Sequence, residues 1–363
     1  MVGNNLNTMK KNILIRPFIY KAESIGVESL KMILLLAVQI FMLFFTKSFS
    51  ALLIIFSSTL ASVLAEIVVR KVFKQIEYNS YIIAVLQGIV AGMIVPETYP
   101  FVTVFFAVFF IMFVIKYLFG GFADAWINPV VFVVAVLWFV GGKLFPDFLI
   151  TSDYFCSRNP SQLLIESGAF PVSSFDSSVT ETLNNTIFGL FKVSIPEGYI
   201  SLFWDTHSVI PAFRFNFITL ISSIILYGSN LIKAIIPSTF LVVYLLLVRF
   251  LSPLFCNGIP YQGDMLLALL TSGTLFYATF VLQSYGTTPI SFVGKFLYGF
   301  FAGVFAFVIT GCGTSSTGMA FTVLLSNILS LFIQKWEENT NKRNLQKLVA
   351  SIDSDNGVEN ESK

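Results

Sequence analysis

Charge is scarce in this sequence. Only 12% of its 363 residues are Asp, Glu, Lys or Arg, about half the share of a soluble domain. There is one His and there are three Cys, with no Cys-x-x-Cys pair. These absences exclude a zinc ribbon, a disulfide framework and a basic nucleic-acid-binding face. The period-2 alternation of barrel strands is missing as well, which excludes a transmembrane β-barrel. What is abundant is apolar: 56% of the residues are hydrophobic, 41 of them Phe, and the mean hydropathy is +0.81. A soluble enzyme or a disordered scaffold does not have this composition; a multi-span membrane protein does.

The fold class expected is therefore all-α and polytopic. Apolar runs lie near 30–46, 49–68, 81–95, 101–119, 129–145, 215–232, 236–252, 264–283, 293–310 and 317–334, which makes about ten transmembrane helices. Several fall short of the roughly 20 residues that cross a bilayer. Short spans interrupted by Gly or Pro suggest broken helices, and 81–95, with Gly88, Gly92 and the following Pro96, is the expected case. Five runs precede one long hydrophilic segment and five follow it. The string Lys116–Ala123 is echoed by Lys295–Ala302, so a 5+5 inverted repeat is expected.

Five segments follow from this: an N-terminal lead-in (1–28), a first membrane half (29–145), a loop (146–213), a second membrane half (214–335) and a polar tail (336–363), read as disordered. No cleavable signal peptide is expected. With both termini placed in the cytoplasm, only Lys47, Lys143, Arg158, Lys192, Arg214 and Arg249 of the 22 basic residues fall outside. That bias satisfies the positive-inside rule and puts the 146–213 loop on the outer side.

Few residues offer chemistry. Glu66 is a carboxylate near the inner end of the second span, where such a group is costly and suggests a Na⁺ or H⁺ path. The alternative is an ion pair with Arg70, one turn on. Lys116 ends the fourth span, either snorkelling to the interface or holding a carbonyl or phosphate. Gly120 and Gly121 permit a close backbone approach. Asn128-Pro129 reads as a helix cap followed by a first-turn proline. Asp124 and Asp264 read as caps too. His207 reads as a solvated loop residue. Cys156, Cys256 and Cys312 map to one side and read mainly as packing residues.

Several of these strings, in order, resemble one family of integral membrane proteins: RnfD of the Rnf electron-transport complex and NqrB of the Na⁺-translocating NADH:quinone reductase (Nqr). The resemblance is carried by Gly88 through Pro129, with Val95-Pro-Glu-Thr-Tyr-Pro100 and Lys116-Tyr-Leu-Phe-Gly-Gly121 leading to Asn128-Pro129. Gly294-Lys-Phe-Leu-Tyr-Gly299 and Gly318-Met-Ala-Phe-Thr-Val-Leu-Leu-Ser-Asn327 continue it.

The resemblance implies a bacterial inner-membrane subunit with both termini cytoplasmic, working beside other proteins of the complex. It implies electron transfer by flavin coupled to Na⁺ or H⁺ movement, that is, a subunit of a translocase, with lipid and the ion as further partners. It also sets Glu66 on a cation path. The family joins FMN through a phosphoester to a Thr in Asp-x-x-Ser-Gly-Ala-Thr. Here Ser167-Gly168-Ala169 match, but the Thr position is Phe170 and the Asp position is Leu164. Phe has no oxygen, so the expectation is a flavin (FMN or riboflavin) bound without that bond, unless Ser173, Ser174 or Thr180 substitutes. Two further motifs depart: Gln283–Pro289 lacks the family's Thr-Asp-Pro, and Thr317 replaces a Glu. A secondary transporter of inverted-repeat type and a non-redox scaffold subunit are the alternative readings.

Overall fold

A computed structural model describes residues 24–73, 80–118, 125–146, 160–192, 194–255, 261, 263–284, 286–310 and 315–361. Its fold is all-α, with no strand among these residues. The helices of the first half are α1 (Ile25–Phe45), α2 (Phe49–Phe73), α3 (Ser80–Ile94), α4 (Phe101–Leu118) and α5 (Pro129–Gly141). Between the halves lie the short helices α6 (Pro160–Glu166), α7 (Asp176–Thr186) and α8 (Tyr199–Trp204). The second half is built from α9 (Asn216–Gly228), α10 (Ile235–Phe255), α11 (Met265–Leu270), α12 (Thr274–Phe276), α13 (Phe292–Thr310) and α14 (Gly318–Glu361). Five of these helices are long and apolar enough to cross a membrane, and shorter apolar helices accompany them. Lipid-type exposure fits: Phe41, Phe56, Phe106, Phe110 and Phe332 all point outward from the bundle.

The ten apolar runs all become helical, but the broken one is not where the glycines suggested. Helix α3 is continuous. Gly88 and Gly92 serve packing: a Cβ on either would sit 2.6 Å from the α2 backbone, at Thr59 and Ile55. Ser58 Oγ and Ser62 Oγ of α2 donate to the Gly88 and Ala84 carbonyls, both at 2.7 Å. Small residues with hydroxyls let two membrane helices approach this closely.

The eighth run is the interrupted one. It is split into α11, α12 and a π-turn over Tyr277–Val281. Gly273 takes φ +68° at the break, a conformation only glycine enters freely. Thr271 and Thr274 hydroxyls donate to the Leu267 and Ala268 carbonyls at 2.6 and 2.7 Å. Hydroxyl residues on both sides of one glycine thus satisfy backbone acceptors that a broken membrane helix exposes.

The packing pattern recurs between the halves. The second and fourth apolar runs of each half lie side by side as helices, α2 on α4 and α10 on α13. The Lys116 echo, however, does not mark equivalent places: Lys116 is near the end of α4, and Lys295 is near the start of α13. The tail also differs from expectation, because α14 runs on to Glu361 instead of ending in coil. Its extension is pinned by Glu337, which accepts from the Ile290 and Ser291 backbone N–H groups, both at 3.1 Å, and from the Ser291 hydroxyl. A carboxylate on one helix thereby caps the start of another.

Candidate functional site

The 146–213 loop packs onto the broken helix. Helix α6 ends at Glu166, and Ser167 N–H and Ala169 N–H return to the Leu163 and Leu164 carbonyls at 2.8 and 3.0 Å. Gly168, between them, takes φ +79° with open space where a Cβ would go. Ser167 Oγ donates to the Leu164 carbonyl at 2.9 Å. This turn aims Phe170 inward, where it is only 5% exposed. Phe170 sits in one apolar cluster with Leu164, Ile165, Leu202, Leu267 and Leu270. The last two belong to α11, so the loop is fastened to the interrupted span by hydrophobic burial.

A second lock stands beside it. Asp176 is fully buried and accepts from Gly198 N–H (2.7 Å), Ser201 N–H (2.6 Å), Ser201 Oγ (2.6 Å) and Thr180 Oγ1 (3.1 Å). Burial opposes its charge, yet these hydrogen bonds outweigh that and hold its carboxyl below the ordinary aspartate range. A third tie is the pair Arg214–Asp205, with both side chains buried. Arg214 Nη2 reaches Asp205 Oδ2 at 2.6 Å, and Nη1 donates to Ser48 Oγ at 2.6 Å, linking the loop to the α1–α2 turn.

The residues singled out from the sequence do not converge on one place. On the loop face, Ala169, Phe170, Thr206, His207, Phe213 and Thr271 border a cavity of about 130 Å³. His207 is solvent-exposed there, as expected of a loop residue, and its backbone N–H is held by Asp205 Oδ1 at 2.8 Å. Of the hydroxyls considered as alternative attachment points, Thr180 is buried on Asp176. Ser173 has its backbone tied to Ser201 Oγ at 2.9 Å, and Ser174 is exposed.

Far from that loop, Glu66 is 3% exposed on α2. It accepts from Arg70 Nε at 3.3 Å and from the Ser80 hydroxyl, and Arg70 also donates to Ser80 at 2.5 Å. The Arg70 guanidinium lies 4.1 Å from the centre of the Tyr81 ring. The ion pair weighed as the alternative for Glu66 is thus formed.

Asn128 caps α5 as its sequence suggests: Oδ1 accepts from Val130 N–H at 3.0 Å, and Nδ2 donates to the Val281 carbonyl of the π-turn at 3.0 Å. Asp264 caps α11 in the same way, at 2.9 Å from Leu267 N–H. The Lys116 side chain, Gly120, Gly121, Asp124 and the three cysteines lie outside the described residues. Sequence reasoning missed Asp176 and the Asp205–Arg214 pair; the signal available was that each is a charged residue directly after an aromatic one, Phe175, Trp204 and Phe213.

A profile of the NQR2, RnfD, RnfE family matches residues 13–343. The chain belongs to this family. A search of curated proteins finds no match. Within the family frame, the loop can be tested for its flavin. The position of the acceptor oxygen is a phenyl ring buried in a hydrophobic cluster, and the position of the neighbouring carboxylate is Leu164, buried in the same cluster. The adjoining cavity of about 130 Å³ is below the roughly 300 Å³ at which organic-ligand pockets begin. Position 170 of this NQR2, RnfD, RnfE member therefore offers a phosphoryl group no oxygen, and position 164 offers no carboxylate beside it.

Proposed function

We propose that this chain is a membrane subunit of an ion-translocating electron-transport complex of Rnf/Nqr type whose 164–170 loop carries no flavin. One observation carries the second half of that reading: Leu164 and Phe170, the positions that would orient and accept the phosphoryl group, are both spent on a single apolar cluster. The first half rests on the family match across residues 13–343. In this reading the chain supplies a membrane frame for partner subunits. Its electron-transfer role, and any flavin held without a covalent bond, depend on a place other than the loop.

Glu66 is read as the carboxylate on the ion path. The support is its burial within a membrane-type helix, since an ionisable residue there is costly and faces a functional interior by default. Arg70 and Ser80 compensate its charge, so an ion passing this point has to loosen that pair. Glu66→Gln in the assembled complex is expected to abolish ion-coupled transport while leaving assembly intact. Unchanged Na⁺- and H⁺-dependence in that variant would remove Glu66 from the path.

The test of the whole reading is purification of the tagged chain from its native membrane. Redox subunits are expected to copurify in fixed proportion. Substrate uptake by the chain alone in liposomes, with no such partners, would favour a secondary transporter instead.

A further inference from the structure

A second, larger opening on the loop face has no part in the reading above. It is a cleft of about 610 Å³ between the end of α5 and the start of α14, a size typical of pockets for organic ligands. Its walls are aromatic: Trp138 meets Phe321 edge-on across the two helices, with ring centres 5.5 Å apart, and Phe145 closes the inner side. Phe139 is 75% exposed at its mouth, so the cleft opens along an apolar flank of the bundle.

The other end is polar and positive. Lys143 lines it and is the sole charged side chain among the described lining residues. No hydrogen bond or ion pair engages Lys143 within the described residues. Thr317 is 6% exposed, borders the cleft, and its hydroxyl has no hydrogen-bond partner among the described residues. The first turn of α14 also faces this end. Ser315 Oγ takes the Gly318 N–H at 3.0 Å, and the Thr317 carbonyl takes those of Ala320 and Phe321. That leaves the Met319 N–H without an acceptor among the described residues. Within the described residues, a cation and a hydroxyl that no partner engages stand together at the start of α14 and form a site for an anionic oxygen group. Trp and Lys side by side at the end of a membrane helix also mark head-group depth.

We propose that this cleft binds an anionic phospholipid, with the phosphate on Lys143, Thr317 and the α14 N-terminus, and the acyl chain along Phe139 and Phe321. Amphiphilic shape and charge both select for this: the aromatic trough accepts a tail, and Lys143 at its end accepts one negative head group.

The test uses the full chain, purified in detergent and delipidated, then offered phosphatidylglycerol or phosphatidylcholine with identical acyl chains. Retained lipid is read by native mass spectrometry. Phosphatidylglycerol is expected to be retained about fivefold better, the scale of one Lys acting on an anionic head group. Lys143→Gln is expected to remove that preference, Lys143→Arg to keep it, and Thr317→Val to reduce it. Equal retention of the two lipids in the unaltered chain, or an undiminished preference in Lys143→Gln, would overturn the proposal. A competition with glycerol 1-phosphate needs no variant. It is expected to displace nothing, and displacement of the lipid by the soluble phosphate would show a site for a water-soluble anion and overturn the lipid assignment.

Discussion

Leu164 and Phe170 meet in one apolar cluster, where they are 2% and 5% exposed. They occupy the two positions at which the family's flavin-bearing members keep a carboxylate and a hydroxyl. Both side chains pack against Leu267 and Leu270 of α11. Phe170→Ala is expected to cost about 3–5 kcal/mol of loop stability, the usual range for emptying a buried phenyl site. Limited proteolysis should then cut within 160–204 while the membrane helices stay protected. The double change Leu164→Asp with Phe170→Thr rebuilds the family's residue types, but places a carboxylate in a hydrocarbon cluster. It is expected to open the loop and not to gain flavin.

Much of this was legible in the sequence, and the failures have physical causes. Ten apolar runs were readable because membrane spans need long apolar stretches. Asn128 and Asp264 were readable as caps because capping is a local interaction. The broken helix was misplaced because glycine has two uses in a membrane helix, close approach and chain reversal. The sequence around Gly88 and Gly92 does not say which; the hydroxyls around Gly273 do, since they are what a break needs. The cluster that buries Phe170 joins residues about a hundred positions apart along the chain, so spacing gave no sign of it.

Glu337 and Gly294 form a second long-range pair. A Cβ on Gly294 would strike the Glu337 carboxylate that caps α13. Gly294→Ala and Glu337→Ala are each expected to destabilise the α13–α14 contact by about 1–2 kcal/mol, the scale of a lost cap. Because both act by removing the same carboxylate from the same place, the double variant should cost little more than either single one. Full additivity, measured by thermal unfolding in detergent, would separate the two residues.

The α2–α3 seam depends on the absence of side chains at Gly88 and Gly92. Either Gly→Ala change puts a methyl group against helix backbone instead of a movable side chain. Each is expected to destabilise by about 1–3 kcal/mol, and Gly228→Ala, where a Cβ meets nothing, is the neutral control. Monodisperse yield and midpoint on heating are the readouts.

Asp176 makes the loop acid-sensitive. Its carboxyl is held below the ordinary value of 3.8, so the folded loop favours the charged form. Its contribution is fully present above that value and is lost as pH falls through the lower, folded one. Hydrogen exchange of residues 176–204 should therefore accelerate as pH drops below about 3.8, after correction for intrinsic rates. Asp176→Asn should raise exchange at neutral pH and flatten the acid dependence.

The most direct measurement is flavin fluorescence of this chain after denaturing electrophoresis of the complex purified from its native membrane. A dark band with redox subunits present in the preparation is predicted. A fluorescent band whose flavin-bearing peptide maps within residues 160–192 would contradict the account.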